Sequence, residues 1–127
     1  VWPLGWRVRA IRGAITVPTN SAEAIGAAVA ELLDTLEHRN ALDPAELVSV
    51  IFSVTPDLNA AFPAQFARRR PGWESVPLLD VQQMEVSGDL PRCIRVLIQL
   101  NTPLAQADMQ HVYLRGAREL RPDLSTV

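Results

Sequence analysis

CIRVLIQL, residues 93–100, reads as a strand built for the inside of a protein, yet an arginine stands in its middle. Ile94, Val96, Leu97, Ile98 and Leu100 are the β-branched and aliphatic residues that favour a half-buried, pleated backbone. Arg95 opposes them, because a guanidinium keeps its proton at ordinary pH and costs several kcal/mol to bury unpaired. Two arrangements resolve the conflict. Either Arg95 pairs with a carboxylate of the chain, with Asp57, Asp80 and Glu85 as candidates, or the face it shares with Gln99 lines a pocket that receives an anion.

Upstream, RVRAIRGAIT at 7–16 predicts a first strand that places Val8, Ala10, Arg12 and Ala14 on one face and Arg7 and Arg9 on the other. A helix follows over 20–40, with Asn20 and Glu23 in a capping-box relation and a core stripe of Ile25, Val29, Leu32, Leu33 and Leu36. Asp43, Pro44 and Glu46 form a short helical turn before a second strand, LVSVIFSV at 47–54. TPDLNAAFP at 55–63 turns into a second helix that runs through ARRR and stops at PGW, 71–73. VPLLDVQQMEV at 76–86 is the third strand, GDLP at 88–91 a turn, and RCIRVLIQLN the fourth strand. A brief helix within 103–110 and a short strand at HVYL, 111–114, complete the order. Such an order indicates an α/β or α+β sandwich with helices on one face of a mixed sheet.

The chain is 127 residues long, which fits one domain. Its net charge of −2 and 20% charged residues describe a soluble globular protein rather than a nucleic-acid binder, and Arg68, Arg69 and Arg70 read as a surface patch. No apolar stretch approaches the roughly 18 residues of a membrane span. The apolar part of VWPLGWRVR is too short for a secretory signal, so a cytoplasmic setting is expected. Cys93 stands alone, which excludes an internal disulfide, and His38 and His111 lack metal-ligand spacing.

No serine has a nucleophile-elbow context, and GAI and SGD do not match phosphate-binding loops. All 12 basic residues are arginine, the side chain suited to bidentate recognition of carboxylates. Arg12, Asp80, Arg95 and Tyr113 each interrupt an apolar strand, which points to one cation-rich pocket for a small substrate with carboxylates. Chemistry there would rest on oriented charges.

IRGAIT at 11–16, TPDLNAAFPA at 55–64, GWESVPLLDVQQMEV at 72–86, CIRVLIQL at 93–100, HVYL at 111–114 and LRPDL at 120–124 together resemble the monofunctional AroH class of chorismate mutases. The resemblance implies an α+β, ferredoxin-like mixed sheet in a single domain over 1–127, with a mobile tail at 116–127. It also implies a homotrimer whose sheets form a pseudo α/β barrel with active sites at the subunit interfaces. The implied reaction is the cofactor-free and metal-free rearrangement of chorismate to prephenate, on the way to phenylalanine and tyrosine.

By position, Arg95 would donate to the ether oxygen of the substrate and reach a carboxylate, and Arg12 and Tyr113 would bind carboxylates. Phe62 and Leu120 would be apolar walls from the neighbouring subunit. Leu79 would line the site, with Arg68 and Arg121 near its mouth. Two positions depart from the family pattern. Gln83 stands where a glutamate is common, and Asp80 where a cysteine is common. The expectation is that Asp80 restores the missing charge while Gln83 keeps a neutral hydrogen bond. Strand alternation puts the two on opposite faces, so the idea requires a bulge or the end of the strand there, and the resemblance, through the family's use of both positions in one pocket, implies such a break. A noncatalytic trimer that binds chorismate or prephenate-like dicarboxylates is one alternative. A trimeric imine deaminase is another, against which the TPDLNAAFP and LRPDL blocks stand.

Overall fold

The computed structural model describes residues 5–123. β1 spans Arg7–Thr16, α1 Ala22–Asn40, β2 Leu47–Val54, α2 Pro63–Arg68, β3 Leu78–Gln82, β4 Cys93–Thr102 and β5 Val112–Leu114. Short 3₁₀ turns lie at Pro44–Glu46, Gln106–Asp108 and Arg115–Glu119. The strands form one sheet in the order β3-β2-β4-β1-β5. β4 runs antiparallel to both β1 and β2, whereas β1 pairs in parallel with β5 and β2 with β3. α1 therefore connects two parallel strands that have β4 inserted between them, a split β-α-β unit.

One face of the sheet carries the main core, in which Ile11, Ile15, Val50, Phe52, Ile94 and Ile98 meet the expected stripe of α1. Gly13 lets the helix lie close: a Cβ there would stand 3.1–3.2 Å from Val96, Leu32 and Leu36. α2 packs on the same side, its Phe66 ring against Gly26 of α1. Arg70 ties the helices together through Asp34 at 2.7 Å and Glu37 at 3.1 Å. One member of the basic run is thus a structural clasp, while Arg68 and Arg69 remain exposed.

Three local expectations change. The α1 cap is Ser21, whose hydroxyl accepts from Ala24 N, while Asn20 accepts from the backbone N–H groups of Asn59 and Ala60 and so pins the following loop. α2 begins only at Pro63, because Phe62 is still extended and Pro63 occupies the first turn. β3 is shorter than 76–86: β2 ends at Val54, and after Gln83 N donates to Val54 O the chain has no strand to pair with. The tail expected at 116–127 begins within a 3₁₀ turn that buries Ala117, and residues 124–127 lie outside the described residues. Among the described residues no helix is long and apolar enough to cross a membrane.

Candidate active site

The helix-free face of the sheet carries three of the four polar insertions, Arg12, Arg95 and Tyr113. Its register aligns Tyr113 of β5 with Ala14 of β1, Ala14 with Arg95 of β4, Arg95 with Ser53 of β2, and Ser53 with Val81 of β3. The small side chain of Ala14 lies between the tyrosine and the arginine. Tyr113, Ala14, Cys93 and Ala117 form a second small cluster here, with Leu90 and Leu120 packed against it. The adjacent row holds Arg12, Leu97, Ile51 and Leu79. Arg12, Arg95, Tyr113 and Leu79 therefore share one face, and Leu120 packs against the Tyr113 cluster of its own chain.

Arg95 resolves its conflict only in part, in the first of the two ways the sequence allowed. A carboxylate of the chain is present, but it is Asp89, whose two oxygens lie 3.2 and 3.3 Å from Nη2. Asp57 is committed elsewhere, accepting from the hydroxyl of Thr55 and the backbone N–H of Arg92. Asp80 lies on the opposite face, and Glu85 is exposed. The pairing is incomplete, since Arg95 Nε and the Tyr113 hydroxyl are both buried and have no hydrogen-bond partner among the described residues. Unmet buried donors of this kind cost stability, and two in one cross-strand row mark a place prepared for an acceptor. Asp89 escaped the sequence reading although it stands in the turn just ahead of β4; its signal was the carboxylate within a short reach of the arginine, in a segment read only as a turn.

Gln83 joins the same face. Its Oε1 accepts from Ser53 Oγ at 2.6 Å, which leaves the amide nitrogen available as a donor. Asp80 does not join it. β3 pairs with β2 in regular register, Phe52 with Asp80, and so no bulge brings residues 80 and 83 together. The Asp80 carboxylate instead accepts from Ala64 N at 3.0 Å in the first turn of α2. Burial pushes its pKa up, with the Ala64 bond and the nearby Arg68 pulling back. Within one chain the candidate site residues thus fall into two parts.

The second part is a cavity of about 480 Å³ lined by Phe62, Gln65 and Asp80 among others. Phe62 is 68% exposed at its rim, where an aromatic ring has no partner from its own chain to justify the exposure. Arg68 lies near enough to Asp80 to favour its ionised form.

At the β5 edge, His111 Nδ1 accepts from the backbone N–H of Arg12 at 2.9 Å. Burial, then the charges of Arg12 and Arg121, push its pKa down. Arg121 therefore stands near the end of the row that holds Tyr113, and it is also paired with Asp123. Cys93 is buried and its thiol is pushed up by burial, which keeps it a packing residue rather than a nucleophile.

The fold and these residues define a class: a small α+β domain whose mixed sheet carries arginine, tyrosine and amide groups on its helix-free face. The chain belongs to the chorismate mutase type I family, which it matches over residues 8–124. It is 50% identical over 120 residues to a chorismate mutase AroH of Thermus thermophilus, covering 94% of this chain and 98% of that protein. A chorismate mutase AroH of Bacillus subtilis is 42% identical over 118 residues, 93% of each chain. The solved structure of a chorismate mutase from Clostridium thermocellum is similar at a TM-score of 0.83 and 44% identity, covering 87% of this chain and 97% of that one. Membership in this family sets the imine deaminase alternative aside.

Proposed function

We propose that the protein converts chorismate to prephenate in a homotrimer, at sites that each combine the helix-free face of one chain with the Phe62–Asp80 cavity of another. The observation that carries this reading is the row in which Arg95 Nε and the Tyr113 hydroxyl are both buried and unpartnered. A concerted pericyclic shift needs no nucleophile and no base. It needs a flexible dianion held in a compact chair and a positive group where the breaking ether bond leaves negative charge.

Arg95 supplies that group. Desolvation strengthens its field, and the position is fixed before the substrate arrives, so little reorganisation accompanies the reaction. Arg12 and Tyr113 hold carboxylates and lower the entropic part of the barrier by restraining the substrate. Gln83, held by Ser53, offers a donor to the ring hydroxyl, where a carboxylate would only accept. The acceptor and the balancing negative charge come from Asp80 of a neighbouring copy, together with its Phe62 wall and Arg68. Leu79 and Leu120 provide apolar cover, and Arg121 attracts the dianion at the mouth. Exposed Val8, Leu79 and Val81 on the helix-free face support the trimer, because association removes them from water. The reaction is placed in the cytoplasm and uses neither cofactor nor metal.

The test is chorismate consumption by the purified protein in the presence of a chelator, with prephenate identified as product. Turnover in those conditions is expected. A second reading, a receptor for prephenate-like dicarboxylates, draws on the separation of Asp80 from Arg95 within one chain. Saturable prephenate binding without any turnover would favour it over catalysis.

A further inference from the structure

We infer that Asp89 is a specificity-determining residue: a resident counter-ion that an incoming anion must displace from Arg95. The inference rests on the reading of Arg95 as the substrate-binding arginine. Within the free chain, the Asp89 carboxylate occupies the position an anion would take, with the arginine side chain 25% and the aspartate side chain 26% exposed. The pairing is loose. Both oxygens approach a single nitrogen, at 3.2 and 3.3 Å, whereas a strong guanidinium–carboxylate pair uses two parallel N–H···O bonds near 2.7–2.9 Å.

The backbone explains why the pair does not tighten. Asp89 closes a turn in which its N–H donates to Val86 O and Gly88 takes φ +84°. Its own Oδ1 accepts from Leu90 N at 2.8 Å, so the carboxylate is tethered from behind and meets only the near corner of the guanidinium. Arg95 Nε stays buried and unmet, as does the Tyr113 hydroxyl in the same row.

An arriving anion therefore gains only what it adds beyond Asp89. A small anion that merely replaces one carboxylate at Nη2 exchanges like for like and must also act against the neighbouring negative charge. A ligand that brings several acceptors, enough to reach Nε and Tyr113 as well as Nη2, gains bonds that Asp89 cannot make. The aspartate thus raises the threshold for simple anions such as phosphate more than for a larger substrate with two carboxylates and an ether oxygen.

Asp89→Asn tests this, because the amide oxygen still accepts from Leu90 N while the charge is removed. KM for chorismate is expected to fall about three- to fivefold with kcat not reduced, in keeping with a half-exposed ion pair. Inhibition by inorganic phosphate is expected to tighten by a larger factor. Asp89→Ser, which also keeps a short acceptor, guards against a variant that folds poorly, and both are checked by thermal melting. A KM that is unchanged or higher, or a kcat that falls, overturns the inference and makes Asp89 a support for Arg95. Wild-type turnover, and its loss in Arg95→Ala, test the underlying reading separately. If the wild type leaves chorismate untouched, calorimetric titration with phosphate still decides the role of Asp89: tighter binding to Asp89→Asn supports it, and equal binding overturns it.

Discussion

Arg95 gathers the chemistry of the site at the scale of a single side chain. Replacement by citrulline keeps nearly the same shape and removes the charge, so kcat is expected to fall on the order of a hundredfold or more, measured by chorismate consumption. A residual rate close to wild type would mean that shape, not charge, carries the reaction. Asp80 gives a different signature. Burial raises its pKa, so the folded state holds its proton more tightly than the unfolded one. The resulting destabilisation is absent below the ordinary aspartate range, near 3.8, and complete above the raised folded value. At neutral pH Asp80→Asn is therefore expected to melt no lower than wild type while losing roughly tenfold in turnover. A lower melting temperature with unchanged turnover would make Asp80 a cap of α2 and nothing more. His111 runs with the opposite sign. Its folded pKa lies below the ordinary 6.5, so the stability it contributes is whole above that value and is lost as pH falls through the folded one. Melting between pH 7.5 and 5 should show this loss in wild type and a shallower one in His111→Asn, whose amide oxygen can take the place of Nδ1. That Arg12, Arg95 and Tyr113 share a face was legible in the sequence, because each interrupts an apolar strand, but the same pattern also gathered in Asp80, which lies on the other face. Ser53 as the holder of Gln83 was not, because the bond links residues far apart in sequence through the pairing of β2 and β3.

The elements followed from local chemistry where one face is buried and the period is unambiguous. β1 and β2 fall at the limits the sequence indicated, and the α1 stripe is buried throughout. Two of the misses, the α1 cap and the end of β3, share a cause: each boundary was set by a partner distant in sequence, whereas the start of α2 was set locally by Pro63. Ser21 caps α1 because Asn20 is occupied with the loop at Asn59 and Ala60. β3 stops where β2 runs out, whatever its own β-propensity. The first of these yields a paired prediction. Ser21→Ala removes a side-chain cap and should cost about 1 kcal/mol in denaturant unfolding. Asn20→Ala leaves that cap in place and should instead loosen the 55–62 loop that leads to Phe62, raising KM more than it lowers stability. Equal effects of the two on unfolding and none on KM would return the cap to Asn20.

The whole molecule has its chemistry on both sides of one sheet. Arg12, Gln83, Arg95 and Tyr113 stand on the helix-free face, and Phe62, Arg68 and Asp80 gather around α2 and its cavity. The family blocks, which run in order along nearly the entire chain, made the activity legible. Residues 80 and 83 were expected to meet through a break in the strand, but β3 keeps regular register with β2 and leaves them on opposite faces. What one sequence could not display is how copies meet, because a surface left bare in one chain declares its partner only by what it lacks. The account therefore stands on the two halves belonging to a single site shared between chains. The most direct measurement mixes two inactive proteins, Arg95→Ala and a variant carrying Phe62→Asp with Arg68→Ala, after partial unfolding and joint refolding. Shared sites predict that turnover returns to roughly a quarter of wild type, the fraction of interfaces at which two intact halves meet by random assortment in a symmetric oligomer. A mixture that stays as inactive as its two components, while assembling normally, would contradict it.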